Sequence, residues 1–295
     1  MTAKATVIAG VGATAVGLVA LRHTVMRPTK PAIPVLELTP GYRGGAGTPL
    51  LLVHGVSATW QVWSPLLPHL EPHHDVLAPT LPGHGGASPF DPRVPPSLDA
   101  LADGIEAELD RAGFSAVHIA GNSLGGWIAI ELARRGRARS LVLLSPAGAC
   151  RSQRRLAATA SAIRLSVKGL SRVSQHADTI ASRPLLRWML LSSQVAHPSR
   201  ARPEWLAASI RAAAVAPAVD ELLRDLPRRQ VEPLSAGQTY PIRVAWPEHD
   251  RVLPFEHFGA PMLEQIPDAD LVRIPDVGHV PMSDDPAAIA KLIWK

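Results

Sequence analysis

The chain alternates short, mostly apolar runs with longer stretches whose apolar residues return every three or four positions. The apolar runs fall at 33–38 (IPVLEL), 50–54, 75–79, 117–121, 140–145, 242–246 and 270–274. They are too short for stable helices and rich in Val, Ile and Leu, so they read as strands covered on both faces. The helical pattern occupies 98–112, 124–136, 256–266 and 286–294. LDALADGIEAELDRA at 98–112 is the clearest of them. Such strands, separated by amphipathic helices, predict an α/β domain with a mostly parallel sheet and helices on both faces. GYRGGAG at 41–47 reads as a turn between two early strands.

The alternation stops between about 150 and 235. This block has no strand pattern; LAATASAIRLSVKGL and PEWLAASIRAAAV repeat at helical spacing, and Pro184, Pro198, Pro203 and Pro217 divide it into several short helices. The expected organisation is a core formed by residues 31–150 and 236–295, with 151–235 inserted as a helical cap. Residues 1–30 stand apart. Residues 5–21 carry no charge and lie between Lys4 and Arg22. As a helix this run would span about 26 Å, slightly short of a hydrocarbon core of about 30 Å. Length and an Ala/Gly-rich composition leave open a membrane anchor, a cleaved signal peptide, and a soluble or peripheral helix. Charge placement favours the anchor. Arg22, Arg27 and Lys30 follow the run while only Lys4 precedes it, which keeps the downstream domain on the cytoplasmic side, and no clear A-x-A cleavage site follows. A soluble cytoplasmic protein and an exported one are the alternatives.

An apolar fraction of 46% with 19% charged residues describes a folded globular chain. The single Cys150 excludes an internal disulfide framework. The net charge of +5 comes from one place: residues 151–230 hold fourteen Lys or Arg against five Asp or Glu. No nucleic-acid motif accompanies them, so they read as solvated helix faces or as attraction to an anionic membrane surface or acidic ligand. Zinc-type Cys/His spacing and a phosphate-binding loop are both missing from the sequence, so no structural or catalytic metal is expected.

The chemistry concentrates around IAGNSLGGW, residues 119–127. A G-x-S-x-G pentapeptide alone is weak evidence, but here VHIA ends a strand and LGGWIAIELARR begins a helix. Ser123 then sits on a sharp strand-to-helix turn, where Gly121 and Gly125 satisfy the need for small neighbours. The Leu124 amide, at the positive end of that helix, faces an anion forming beside the hydroxyl. In LLVHGVSATW, Gly55 lets the Val56 amide face the same point, while His54 reads first as a brace of that loop. A serine nucleophile needs a base, and the base an orienting acid. Asp250 follows one strand in AWPEHDRVLP, and His279 follows another in IPDVGHVPM. Glu248 comes two residues early, Asp276 shares the histidine's loop, and Pro146, not an acid, follows Ser145. The expected catalytic set is Ser123, Asp250 and His279, with Val56 and Leu124 amides holding the oxyanion. His54, Gly55, Asn122, Trp127, Trp188 and Val280 are the substrate-binding candidates.

These motifs, VHGVSATWQVW, LPGHGGAS, GNSLGG, PEHDRVLP and GHVPM, together resemble the α/β-hydrolase fold superfamily over residues 33–295. The resemblance implies an eight-stranded sheet, a helical cap over the site, no cofactor, and acyl transfer to water. Pro247 departs from the usual glycine before the acid. A serine at the elbow argues against the epoxide hydrolases and haloalkane dehalogenases of this fold, which use a carboxylate there. Trp188, Met189 and Trp205 in the cap suit a small-molecule substrate with an apolar acyl chain, and equally suit packing of the cap helices alone; a membrane anchor with a basic cap suits a lipid-derived ester. Asn122 and HDRVLP also resemble hydrolases that cleave carbon–carbon bonds of vinylogous diketones, although those often carry Trp where this chain has Val280. A non-catalytic binding module is the third reading, one that usually follows loss of part of the triad.

Overall fold

The computed structural model describes residues 33–91 and 93–294. The apolar run 5–21 lies outside them. Seven strands, β1 (Gly41–Gly44), β2 (Thr48–Val53), β3 (His74–Pro79), β4 (Val117–Asn122), β5 (Ala138–Leu144), β6 (Ile242–Pro247) and β7 (Ala269–Ile274), form one sheet in the order β1-β3-β2-β4-β5-β6-β7. Only β1 runs antiparallel to its neighbour. The helices are α1 (Leu67–Leu70), α2 (Leu98–Ala112), α3 (Leu124–Arg134), α4 (Gln153–Arg172), α5 (Ala177–Ser182), α6 (Pro184–Leu191), α7 (Pro203–Ala214), α8 (Ala218–Asp225), α9 (Phe255–Gln265), α10 (Pro281–Asp284) and α11 (Pro286–Trp294).

The continuous apolar runs have a direct cause. In β2, Leu51 and Val53 enter the cluster beneath α2, α3 and α9, while Leu50 and Leu52 enter the cluster on the opposite face with Trp63, Leu66 and Ile289. Both faces are covered, so no polar alternation survives. Burying each such side chain contributes about 1.5–3 kcal/mol. Helix α2 begins where the Ser97 side chain accepts the Ala100 amide and ends at Gly113, whose φ of 77° suits glycine.

Two expectations need correction. The sheet has seven strands among the described residues, not eight, and 33–38 is not one of them. Pro34 lacks an amide there, the Glu37 carbonyl is taken by the Gln61 side chain, and Ile33 packs on the cap cluster around Ile180 and Leu206. The strand forms instead within the glycine-rich stretch read as a turn. Residues 41–44 pair with 76–79, and Gly41 lies so close to β3 that a Cβ would sit 3.1 Å from the Ala78 carbonyl oxygen.

Every regular element between 153 and 228 is a helix. Pro184 and Pro203 open α6 and α7, and Pro217 caps α8. This layer sits against the loops at the carboxyl ends of the strands. Val56 packs on Ala160, Ala216 and Val219, and added methyls at Gly83 and Gly85 would strike Ala218 and Ala212. The returning chain rejoins the main core at Val231 and Leu234. Much of the basic charge is neutralised locally. Arg164, Lys168 and Arg224 converge on Asp220, whose carboxyl the Arg164 guanidinium holds at about 2. No helix among the described residues is long and apolar enough to cross a membrane.

Candidate active site

The chain runs from β2 to β3 on one side and then to β4 on the other, so a topological switch lies at the carboxyl ends of β2 and β4. Strand ends there are in register: Val53 pairs with Gly121, Asn122 with Leu144, Leu144 with Ala245, and Pro247 with Ile274. The loops carrying His54, Ser123, Asp250 and His279 therefore leave one edge.

Ser123 has φ 56° and ψ −117°, a conformation disfavoured for any residue with a side chain. Backbone bonds hold it there. Its amide donates to Leu144 O at 3.0 Å, and its carbonyl accepts from Gly126, Trp127 and Ala147 amides at 3.0, 3.2 and 2.9 Å. The flanking glycines are required by close approach: a Cβ at 121 would lie 2.3 Å from Gly125 O, and one at 125 would lie 2.1 Å from Val53 O. Leu124 is the first residue of α3, so its amide lacks an intrahelical acceptor. Among the described residues, neither this amide nor that of Val56 has a hydrogen-bond partner. Val56 stands between Gly55, whose Cβ would lie 3.3 Å from Ser123 Cβ, and Ser57, which has φ 63°.

Asp250 and His279 meet across two loops. Asp250 Oδ2 lies 2.7 Å from His279 Nδ1, and Asp250 Oδ1 accepts from the Val252 and Leu253 amides at 2.9 and 2.7 Å. Both side chains are buried. The carboxylate only accepts, so Nδ1 carries the proton of this bond and Nε2 is the nitrogen turned away from Asp250. Pro247 does not disturb the approach of Asp250. The pairing with the β7 side resumes at once, with Glu248 N on Ile274 O at 2.9 Å and His249 N on Val277 O at 3.1 Å.

The other candidates divide into brace, packing and surface. His54 is fully buried, with Nδ1 2.7 Å from Gly55 O and Nε2 accepting the Leu81 amide at 2.9 Å. Burial, reinforced by His84, pushes its pKa down to about 3. A neutral ring with both nitrogens engaged by backbone holds the 54–56 loop in place. Asn122 Nδ2 donates to Leu144 O at 3.1 Å and His279 O at 3.0 Å, joining the strand before Ser123 to the His279 loop. The Val280 amide donates to Gln194 O at 2.8 Å. Trp127 lies in the main core, with Gly148 pressed against its ring. Trp188 is 56% exposed on α6 and packs in none of the core clusters.

Sequence reasoning did not single out His84 or Asp284. His84 is buried beside His54, burial pushes its pKa down to about 4, and its Nε2 has no partner among the described residues. Asp284 is buried and accepts three backbone amides. No local signal marked Asp284: in SDDP the acid just before Pro286, which starts a helix, is Asp285. Nothing local said which amides Asp284 would meet.

A sheet switched at β2 and β4, a strained serine between them, and an Asp–His pair at the same edge describe a hydrolase built on an α/β sheet. The model of the alpha/beta hydrolase family matches residues 50–292, and the chain belongs to that family. Epoxide hydrolase EphH of Mycobacterium tuberculosis is 35% identical over 202 residues, covering 67% of this chain and 93% of that protein. The pimeloyl-[acyl-carrier protein] methyl ester esterase of Aromatoleum aromaticum is 31% identical over 266 residues, covering 83% of this chain and 96% of that protein. The malate-bound thermophilic esterase of Thermogutta terrifontis superposes with a TM-score of 0.67 at 22% identity, covering 86% of this chain and 90% of that one, a likeness of fold.

Proposed function

We propose that this hydrolase cleaves a carboxylic ester with an apolar acyl group through an acyl-enzyme on Ser123. The observation that carries the reading is the 2.7 Å Asp250–His279 contact at the sheet edge that also presents the strained Ser123. Ser123 Oγ attacks the ester carbonyl and its proton passes to His279 Nε2, while Asp250 holds Nδ1–H and stabilises the imidazolium. The tetrahedral oxygen takes hydrogen bonds from the Val56 and Leu124 amides, each contributing about 2.7–4 kcal/mol. Collapse expels the alkoxide, which takes the proton from His279. Water then adds to the acyl-enzyme with His279 again accepting a proton, and Ser123 recovers its own as the acid leaves.

Epoxide opening is the second reading, carried by the similarity to EphH. Ser123 weighs against it. A carboxylate that opens an epoxide forms an ester that water can cleave; a serine would form an ether that this machinery cannot hydrolyse. Carbon–carbon cleavage rested on Asn122 together with HDRVLP, and the Asn122 amide nitrogen is occupied by two carbonyls. The apolar run 5–21 supports tethering to a membrane with the catalytic domain cytoplasmic, on the bias of Arg22, Arg27 and Lys30 over Lys4.

The test is hydrolysis of p-nitrophenyl esters from acetate to palmitate, with styrene oxide alongside, by wild type and Ser123→Ala. The expected result is ester turnover lost in the variant, with no diol formed. Serine-independent diol formation without ester turnover would overturn the reading.

A further inference from the structure

We infer that Asp284 is a positioning residue for the base, and that it pins the connection between α6 and α7 onto the His279 loop. This rests on the reading of His279 as the catalytic base. The carboxylate is buried, and each of its oxygens is used. Oδ2 accepts from Gly278 N and from Ala196 N, both at 2.8 Å, and Oδ1 accepts from His197 N at 2.9 Å. Gly278 immediately precedes the base; Ala196 and His197 belong to the connection between the two cap helices. One carboxylate thus fixes the approach of His279 and the seat of the cap together.

The surroundings make this joint specific. The Val280 amide, on the other side of His279, donates to Gln194 O at 2.8 Å. His197 Nε2 lies 2.9 Å from the Asp276 carboxylate at the start of the same loop. Arg251, next to the acid Asp250, donates to Ser192 O. Gly278 meets Val195 so closely that a Cβ would lie 2.7 Å from its backbone carbonyl carbon. Residues 192–197 therefore touch the loops of both the acid and the base, and Asp284 is the buried charge at the centre. A carboxylate can serve all three amides because both oxygens accept. An asparagine presents one accepting oxygen and one NH2 group. In either orientation at least one backbone amide then faces a donor. Alanine leaves all three unmet, and a displacement of about 1 Å in a catalytic group lowers rate about a hundredfold.

The experiment compares wild type, Asp284→Asn and Asp284→Ala as full chains, by steady-state hydrolysis of p-nitrophenyl butyrate and by hydrogen exchange. The expected result is kcat down about a hundredfold in Asp284→Ala and less in Asp284→Asn, with KM within a few-fold of wild type, since the contact reaches the base and not the substrate. Folded Asp284→Ala with kcat within twofold of wild type overturns the inference. So does a variant that raises KM alone. Hydrogen exchange on wild type decides the case where the variants do not fold. Peptides covering 194–199 and 276–280 should exchange together and as slowly as β6, and rapid exchange of either overturns the pin. A wild type inactive on esters defeats the hydrolase reading alone, because exchange then still reports whether the joint exists.

Discussion

Helix α3 and helix α4 are both amphipathic, yet nine of the eleven residues of α3 are buried against only Ala160 among the twenty of α4. The first is wedged against the sheet by backbone contacts that admit no side chain at Gly121 or Gly125. The second belongs to the inserted helical layer, with Leu165 53% exposed and Arg164 and Lys168 paired with Asp220. The difference teaches where a helix is over-determined. At α3 the chain must hold Ser123 in a disfavoured conformation, so every neighbour is fixed by close packing. In α4 only Ala160, which packs with Val56, is buried, and a mostly solvated helix with a narrow apolar stripe suffices.

The largest effect that separates the two regions should come from the acid. Asp250→Asn is expected to lower kcat by about ten-thousandfold with melting little changed, because the imidazole loses its orientation and its counter-charge. Steady-state kinetics alongside a thermal melt check this. Next comes the elbow itself. Gly125→Ala drives a methyl into the Val53 carbonyl, and a loss of about 4 kcal/mol or outright failure to fold is expected from urea titration. In α4, Leu165→Ser should change stability by less than about 0.5 kcal/mol. If the two substitutions had similar effects, the contrast between the helices would fail.

Protonation offers a gentler test. His54 and His84 are pushed down to about 3 and about 4 by burial, from an ordinary value of 6.5. Below pH 6.5 the unfolded chain binds protons that the folded chain refuses, so stability is full above that pH and falls as the medium approaches the folded values. The slope is at most about 1.4 kcal/mol per pH unit for each histidine. Urea midpoints should drop between pH 6.5 and 4, and His84→Gln should make the drop shallower; an unchanged profile in that variant would contradict the assignment. The smallest effect is expected on the cap surface. Asp220 is about a third exposed, so Asp220→Asn should lower stability by no more than about 1 kcal/mol, and less in high salt.

Much of this arrangement was legible in the sequence because it is local. An apolar run meeting a small-residue turn marks the end of β4, and the same junctions place acidic and histidine side chains after β6 and β7. The limits had physical causes too. Residues 41–44 carry two glycines and read as part of a turn, yet they pair with β3 because glycine permits the backbone approach that the Ala78 carbonyl requires. Asn122 looks like a group facing substrate, and only the fold reveals that its nitrogen ties Leu144 to His279. Trp127 and Trp188 share a residue type with very different exposure, since helical phase alone does not say which side of a cap helix is covered. Asp284 reaches amides more than eighty residues away in the chain, a separation that no local pattern encodes.

The measurement that tests the central claim most directly is mapping the covalent intermediate by mass spectrometry. Wild type is quenched during turnover of a slow p-nitrophenyl ester, or labelled with a fluorophosphonate, then digested. The account predicts one adduct, on Ser123, absent from Ser123→Ala and formed far more slowly by Asp250→Asn. An adduct on another residue, or ester turnover undiminished in Ser123→Ala, would contradict it.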